Sequence, residues 1–126
     1  MKTELTLLIV AFLSSSALRA AAQALPVIKD SEAAQYVGKN VEVRGVVAVV
    51  YTSKNGNTFP DFGGKYPRQT FTGYIPARLE LTGDIWTASL EAKTIEITGT
   101  VEMYRGKPEI KALSKNQIKE ADYAFC

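Results

Sequence analysis

The chain has 126 residues, 46% of them hydrophobic and 22% charged, with a formal charge of +2. Those are the proportions of an ordinary globular protein, and the length suits one domain. There is no His and one Cys, Cys126. This excludes a Ser-His-Asp or Cys-His triad, an intrachain disulfide, and any His-based or multi-Cys zinc site. What remains is a binding domain, or an enzyme running on carboxylates, Lys, Arg and Tyr.

Lys2 and Glu4 precede an apolar run from Leu5 to Leu13, then Ser14 to Ser16, then small residues ending in Ala22-Gln23-Ala24. A charged start, a short apolar centre and an A-x-A end are the parts of a secretory signal peptide. Cleavage is expected after Ala24, with Ala20 or Ala21 as alternatives. The run is short of the ~20 residues a membrane span needs, and Arg19 follows it; no Cys stands behind it to carry a lipid. The expected division is therefore a signal peptide over 1–24 and one domain over 25–126, periplasmic or secreted, with no stable membrane span. Removing 24 residues, with Lys2, Arg19 and Glu4 among them, leaves 102 residues and a charge of +1. Bulk charge therefore offers little help to phosphate binding.

Residues 30–37 read as a short helix that Asp30 or Ser31 caps and Gly38 stops. Val41 and Val43 alternate with Glu42 and Arg44, the period of a half-buried strand. Gly45 breaks the alternation, which predicts a bulge or a sharp coil in a strand running to Tyr51. Asn55-Gly56 supplies the positive φ of a hairpin turn. A second strand follows over 58–62, demoted toward an edge or bulge by Pro60. Residues 63–67 are another turn, and 70–75 a third strand closed by Pro76. A helix near 84–91 with Asp84 as cap comes next. A fourth strand covers 94–104. Arg105-Gly106-Lys107-Pro108 turns the chain into a fifth strand over 109–113, which Gln117-Ile118 continues or caps.

One pattern recurs. GKNVEVRGVV at 38–47 and AKTIEITGTV at 92–101 share K-x-[V/I]-E-[V/I]-x-G-x-V, which predicts two coiled strands with matching roles. Five strands, a Gly kink in the first and a helix between the third and fourth make a mainly β fold, the five-stranded Greek-key OB-fold barrel. The runs 38–47, FGGKYPRQTFTGYIP and ITGTVEMYRGKPEIKALSKNQI resemble small exported OB-fold proteins of bacteria. Those are described mostly as nucleic-acid-binding-like or nucleotide-binding-like. The resemblance covers residues 36–118. Its most distinctive piece is Tyr104-Arg105-Gly106-Lys107-Pro108-Glu109-Ile110, similar to a hairpin in OB domains of nucleases and tRNA synthetases. OB-folds bind oligonucleotides, oligosaccharides and proteins alike, so the likeness speaks for fold more than for ligand.

Aromatic and cationic residues gather where such a fold takes its ligand. Phe62, Lys65, Tyr66, Arg68, Phe71 and Tyr74 lie on the second and third strands and nearby turns; Lys54, Tyr104, Arg105 and Lys107 lie in two rim turns. Strand periodicity divides them: with Phe71 and Ile75 in the core, Tyr74 faces out. The expected ligand-binding residues are Lys54, Tyr66, Arg68, Tyr74, Tyr104, Arg105 and Lys107. Packing and turn solubility account for the same residues, and Arg-Gly-Lys-Pro is also what a turn requires. Among the acids, Glu42 and Glu96 occupy equivalent repeat positions and are expected on a solvated outer face. Trp86 is expected to cap one barrel end, and Cys126 to be an inert, capped or interchain thiol. No metal site, cofactor or catalytic set is expected. The functional expectation is an exported, non-enzymatic binding protein for single-stranded nucleic acid or a nucleotide. The alternatives are a stress-related module binding an envelope protein or component, and a small nuclease-like hydrolase.

Overall fold

The computed structural model describes residues 24–79 and 89–121. The segment expected to be a signal peptide (apart from Ala24), most of the helix expected at 84–91 with Trp86, and Cys126 lie outside the described residues. Among the described residues no helix is long and apolar enough to cross a membrane.

Among the described residues eight strands form the fold: β1 (Val27–Lys29), β2 (Asn40–Thr52), β3 (Thr58–Phe62), β4 (Phe71–Tyr74), β5 (Thr94–Thr100), β6 (Glu102–Tyr104), β7 (Lys107–Lys111) and β8 (Ile118–Glu120). The domain is mainly β, as expected, but a closed ladder of five strands is corrected. Hydrogen bonds join the strands in the order β6-β7-β4-β3-β2-β5-β8, with β1 beside β2. Two short segments the sequence pattern did not reveal add two of the three extra strands. β1 lies parallel to β2, and β8 lies antiparallel to β5. The expected fourth strand divides at Val101, because the chain before β2 holds that residue. Gly38 N–H donates to Val101 O at 2.8 Å, and Val101 N–H donates to Lys39 O at 3.1 Å. The helix expected at 30–37 is a 3-10 segment, Asp30–Tyr36. Asp30 does not cap it; its carboxylate accepts from Thr70 Oγ1 at 2.5 Å instead.

β2 serves two neighbours in succession. Asn40–Val46 pairs with β5, and Val47–Thr52 pairs with β3. The switch falls where the expected kink lies: a Cβ on Gly45 would stand 2.5 Å from Asp30 Oδ1 and 3.0 Å from Phe62 Cδ2. The repeat has a geometric meaning. Val43 faces Ile97, its own repeat equivalent, across the β2–β5 ladder, and Arg44 faces Glu96 while Glu42 faces Thr98. The two segments are thus related by a local two-fold through Val43 and Ile97.

Val41, Val43, Val47, Phe62, Phe71, Ile75, Leu90, Ile95, Ile97 and Ile110 are fully buried and form one core. Gly73 lets its two sides meet, since a Cβ there would stand 2.5 Å from Ile97 Cδ1. Pro60 sits inside the sheet between β2 and β4, not at an edge. Its missing N–H leaves a gap in the β3–β4 ladder, between the pair Asp61–Thr72 and the bridge Thr58–Ile75. Glu96 is a second correction: it is buried, with Arg44 Nε donating to it at 2.7 Å and Lys119 Nζ 3.6 Å away. Burial works against its charge, but these two cations and Glu42 outweigh that and hold its carboxyl below the usual range.

Candidate functional site

The outer face of β2, β3, β4 and β7 carries the features a ligand would meet. Strand periodicity sets Val49 and Tyr51 of β2, Phe59 and Asp61 of β3, and Thr72 and Tyr74 of β4 on this face, opposite the core. The register lines up Tyr51 with Phe59, and their rings stack at 6.0 Å between centroids. Phe59 meets Tyr74 edge to face at 5.1 Å, and Lys111 Nζ lies 5.3 Å from the Tyr74 ring centre. The result is a three-ring aromatic row ending in a cation.

A second row runs beside it: Val49, Asp61, Thr72 and Glu109, in neighbouring register positions on β2, β3, β4 and β7. Thr72 Oγ1 donates to Asp61 Oδ1 at 2.8 Å. Burial pushes the Asp61 carboxyl up, and the Thr72 hydroxyl opposes this in part. Burial pushes Glu109 up as well, with Lys111 opposing and Glu102 adding to the rise. Two acids therefore sit on the floor, each at a cost in solvation.

Beyond this floor, the loop after β3 and the β6–β7 hairpin rise as walls. Together they enclose a groove of about 460 Å³ whose lining includes Tyr51, Phe59, Lys65, Tyr66, Tyr104, Arg105 and Lys107. Lys107 Nζ donates to Gln69 O at 3.0 Å and ties the hairpin to the loop. The hairpin turn has positive φ at both central residues, +52° at Arg105 and +81° at Gly106. That is the two-residue primed turn that matches strand twist. Gly adopts it freely, whereas Arg105 does so at a cost. Its guanidinium lies 5.2 Å from the Tyr104 ring centre.

Of the residues expected in the site, Tyr66, Tyr104, Arg105 and Lys107 line the groove. Tyr74 adjoins it through Phe59. Lys54 and Arg68 are not among the lining residues. The Ser53–Asn57 turn leans the other way, with Ala77 N–H donating to Asn57 Oδ1 at 3.0 Å, so Lys54 stands at the opposite end of β3 from the Arg105 hairpin. Arg68 is exposed in a loop tightened by its own N–H donating to Lys65 O at 2.7 Å. Phe62 and Phe71, in the wider aromatic set, pack against each other in the core.

No family model and no curated protein matches the chain. Among solved structures, the fold is similar to part of a protein of Leishmania major Friedlin described as an aspartyl-tRNA synthetase. The TM-score is 0.51 at 16% identity, over 78% of this chain. This chain spans 21% of that one, about a fifth of its length. A protein of Klebsiella pneumoniae subsp. pneumoniae MGH 78578 described as a nucleic acid-binding lipoprotein gives a TM-score of 0.45 at 17% identity, over 71% of this chain and 76% of that one. The synthetase likeness is one of fold.

Tyr51, Phe59, Asp61, Gln69, Thr72 and Glu109 belong to the groove but not to the expected site. A signal for two of them was present: a hairpin closing through Asn55-Gly56 sets Tyr51 opposite Phe59. Nothing local marked the acids, whose burial is a product of tertiary packing. Among the described residues no group of His, Cys, Asp and Glu is arranged to hold a metal ion.

Proposed function

We propose that this chain is an exported OB-type binding domain whose groove holds a short single strand of nucleic acid, or a nucleotide, without transforming it. The observation that carries this reading is the aromatic row Tyr51–Phe59–Tyr74 beside a wall bearing Lys65, Arg105 and Lys107. Flat rings accept any base on their faces, at ~1–3 kcal/mol per stacked base, while cations follow the phosphates. The strand order supports the OB reading. β2 bonds to both β3 and β5, β4 runs parallel to β7, and β5 continues through Val101 into β6, which bonds to β7. The path thus returns on itself through the chain. Export rests on the leader pattern in the first 24 residues.

Fluorescence anisotropy with labelled nine-residue DNA and RNA single strands, at about 20 and about 200 mM salt, tests the proposal. Three wall cations predict a slope of about −2 in log K against log salt, or roughly a hundredfold weakening across that range. Phe59→Ala is expected to lose about tenfold at both salt concentrations, because stacking is not screened. Absence of binding at the lower salt ends the proposal.

A further inference from the structure

The groove is amphoteric in an ordered way. Its exposed wall carries cations, while its floor carries two buried acids, Asp61 and Glu109, each 8% exposed. A phosphate pushed to the floor would meet two carboxylates; at the wall it meets Lys65 and Arg105. A nucleotide therefore fits only with its phosphate outward and its base inward.

The floor also offers acceptors in excess. Asp61 takes one hydrogen bond, from Thr72. The Glu109 carboxylate takes none among the described residues, although the residue is more than nine-tenths buried. Gln69, 6% exposed and also lining the groove, has a buried Oε1 without a partner. Among the described residues Gln69 Oε1 alone is a fully buried acceptor left unmatched, which is costly; the carboxylate oxygens stay open to the groove, and a ligand edge rich in N–H donors would pair with all three groups. Burial has raised both carboxyls, yet a donor edge favours their charged, accepting form.

From this we infer that the floor reads the base, with Asp61 and Glu109 accepting from its Watson–Crick edge, and that guanine is the preferred base. Guanine presents two adjacent donors, N1–H and the N2 amino group, which match the two oxygens of one carboxylate. Cytosine and adenine present one amino group each. Thymine and uracil present a single N–H between two carbonyls, which carboxylates repel. The inference rests on the nucleic-acid reading above and adds selectivity to it.

The test compares two labelled DNA nine-mers, all thymidine and thymidine with one central guanosine, at equal low salt. The wild type is expected to bind the guanosine strand roughly tenfold tighter, the scale of one bidentate base contact. Asp61→Asn and Glu109→Gln keep the side-chain shape and remove a buried charge, so both variants are expected to fold, as checked by circular dichroism. At least one is expected to shrink the ratio several-fold. Equal affinity of the wild type for the two strands overturns the inference and leaves the nucleic-acid reading standing. A ratio unchanged in both variants does the same. If neither strand binds, both fall together.

Discussion

Arg105 is where stability and binding pull apart, so one substitution can test both. The turn holds it at φ +52°, a conformation that costs a non-glycine residue about 1 kcal/mol. Asn tolerates this region, and Asn-Gly is the preferred pair for the turn. Arg105→Asn removes the strain but also the exposed stacking of the guanidinium on Tyr104, 5.2 Å away and worth about 0.5 kcal/mol. The net gain is about 0.5 kcal/mol, or a rise in Tm of roughly 2–4 °C for a domain of this size. The same change removes one wall cation, so affinity for a single strand is expected to fall several-fold at low salt and the salt slope to flatten by about 0.7. Ala92, at φ +71° and outside the groove lining, is the control. Ala92→Gly is expected to raise Tm as well and to leave binding untouched. Thermal melts followed by circular dichroism, paired with anisotropy titrations, read both quantities. A lower Tm for Arg105→Asn would rule out strain relief in the turn, and an unchanged salt slope would rule out a phosphate contact at this residue.

Gly73→Ala places a Cβ 2.5 Å from Ile97 Cδ1 and 3.2 Å from Pro60 Cγ. Overpacking of that kind costs about 1–3 kcal/mol, so urea melts should show a clearly lower midpoint with the slope retained. Arg44→Ala strips the buried Glu96 of its nearest cation and leaves Lys119 at 3.6 Å. A loss of about 2 kcal/mol is expected at neutral pH, below the figure for a fully buried pair because Arg44 is half exposed. The pH profile follows from the directions of the carboxyl shifts. Glu96, held low, contributes stability present above the ordinary carboxylate value and lost as pH falls through its folded value. Asp61 and Glu109, pushed up, act with the opposite sign: their contribution is greatest below the ordinary value and fades as pH rises through their folded values. Urea melts from about pH 3 to 7 should therefore show Arg44→Ala losing less stability on acidification than the wild type, and Asp61→Asn gaining relative to it as pH rises.

The strands with strong local markers could be read from the chain. The bounds of β3 are legible because an Asn-Gly turn precedes it and Gly63-Gly64 follows it. β2 and the combined span of β5 and β6 followed from alternation with a glycine interruption. β1 and β8 are three residues each, too short for any period to show, and exist because longer strands offer them an edge. The parallel pairing of β4 with β7 links residues far apart in sequence, and it is this pairing that carries Glu109 to the site beside Thr72. The same distance explains the candidate site. Tyr104, Arg105 and Lys107 were legible because a two-residue turn leaves them little choice of place. Lys54 lies away from the groove, because charge and turn chemistry do not reveal which end of a sheet a hairpin tip occupies.

The most direct test is to map a short single-stranded DNA onto the backbone amides by two-dimensional NMR. Shifts are expected to concentrate at Val49, Tyr51, Phe59, Asp61, Thr72, Arg105 and Lys107, with β8 and the Lys54 turn unchanged. Shifts centred on the β5–β8 face would contradict binding in the groove, as would a spectrum that does not change at low salt.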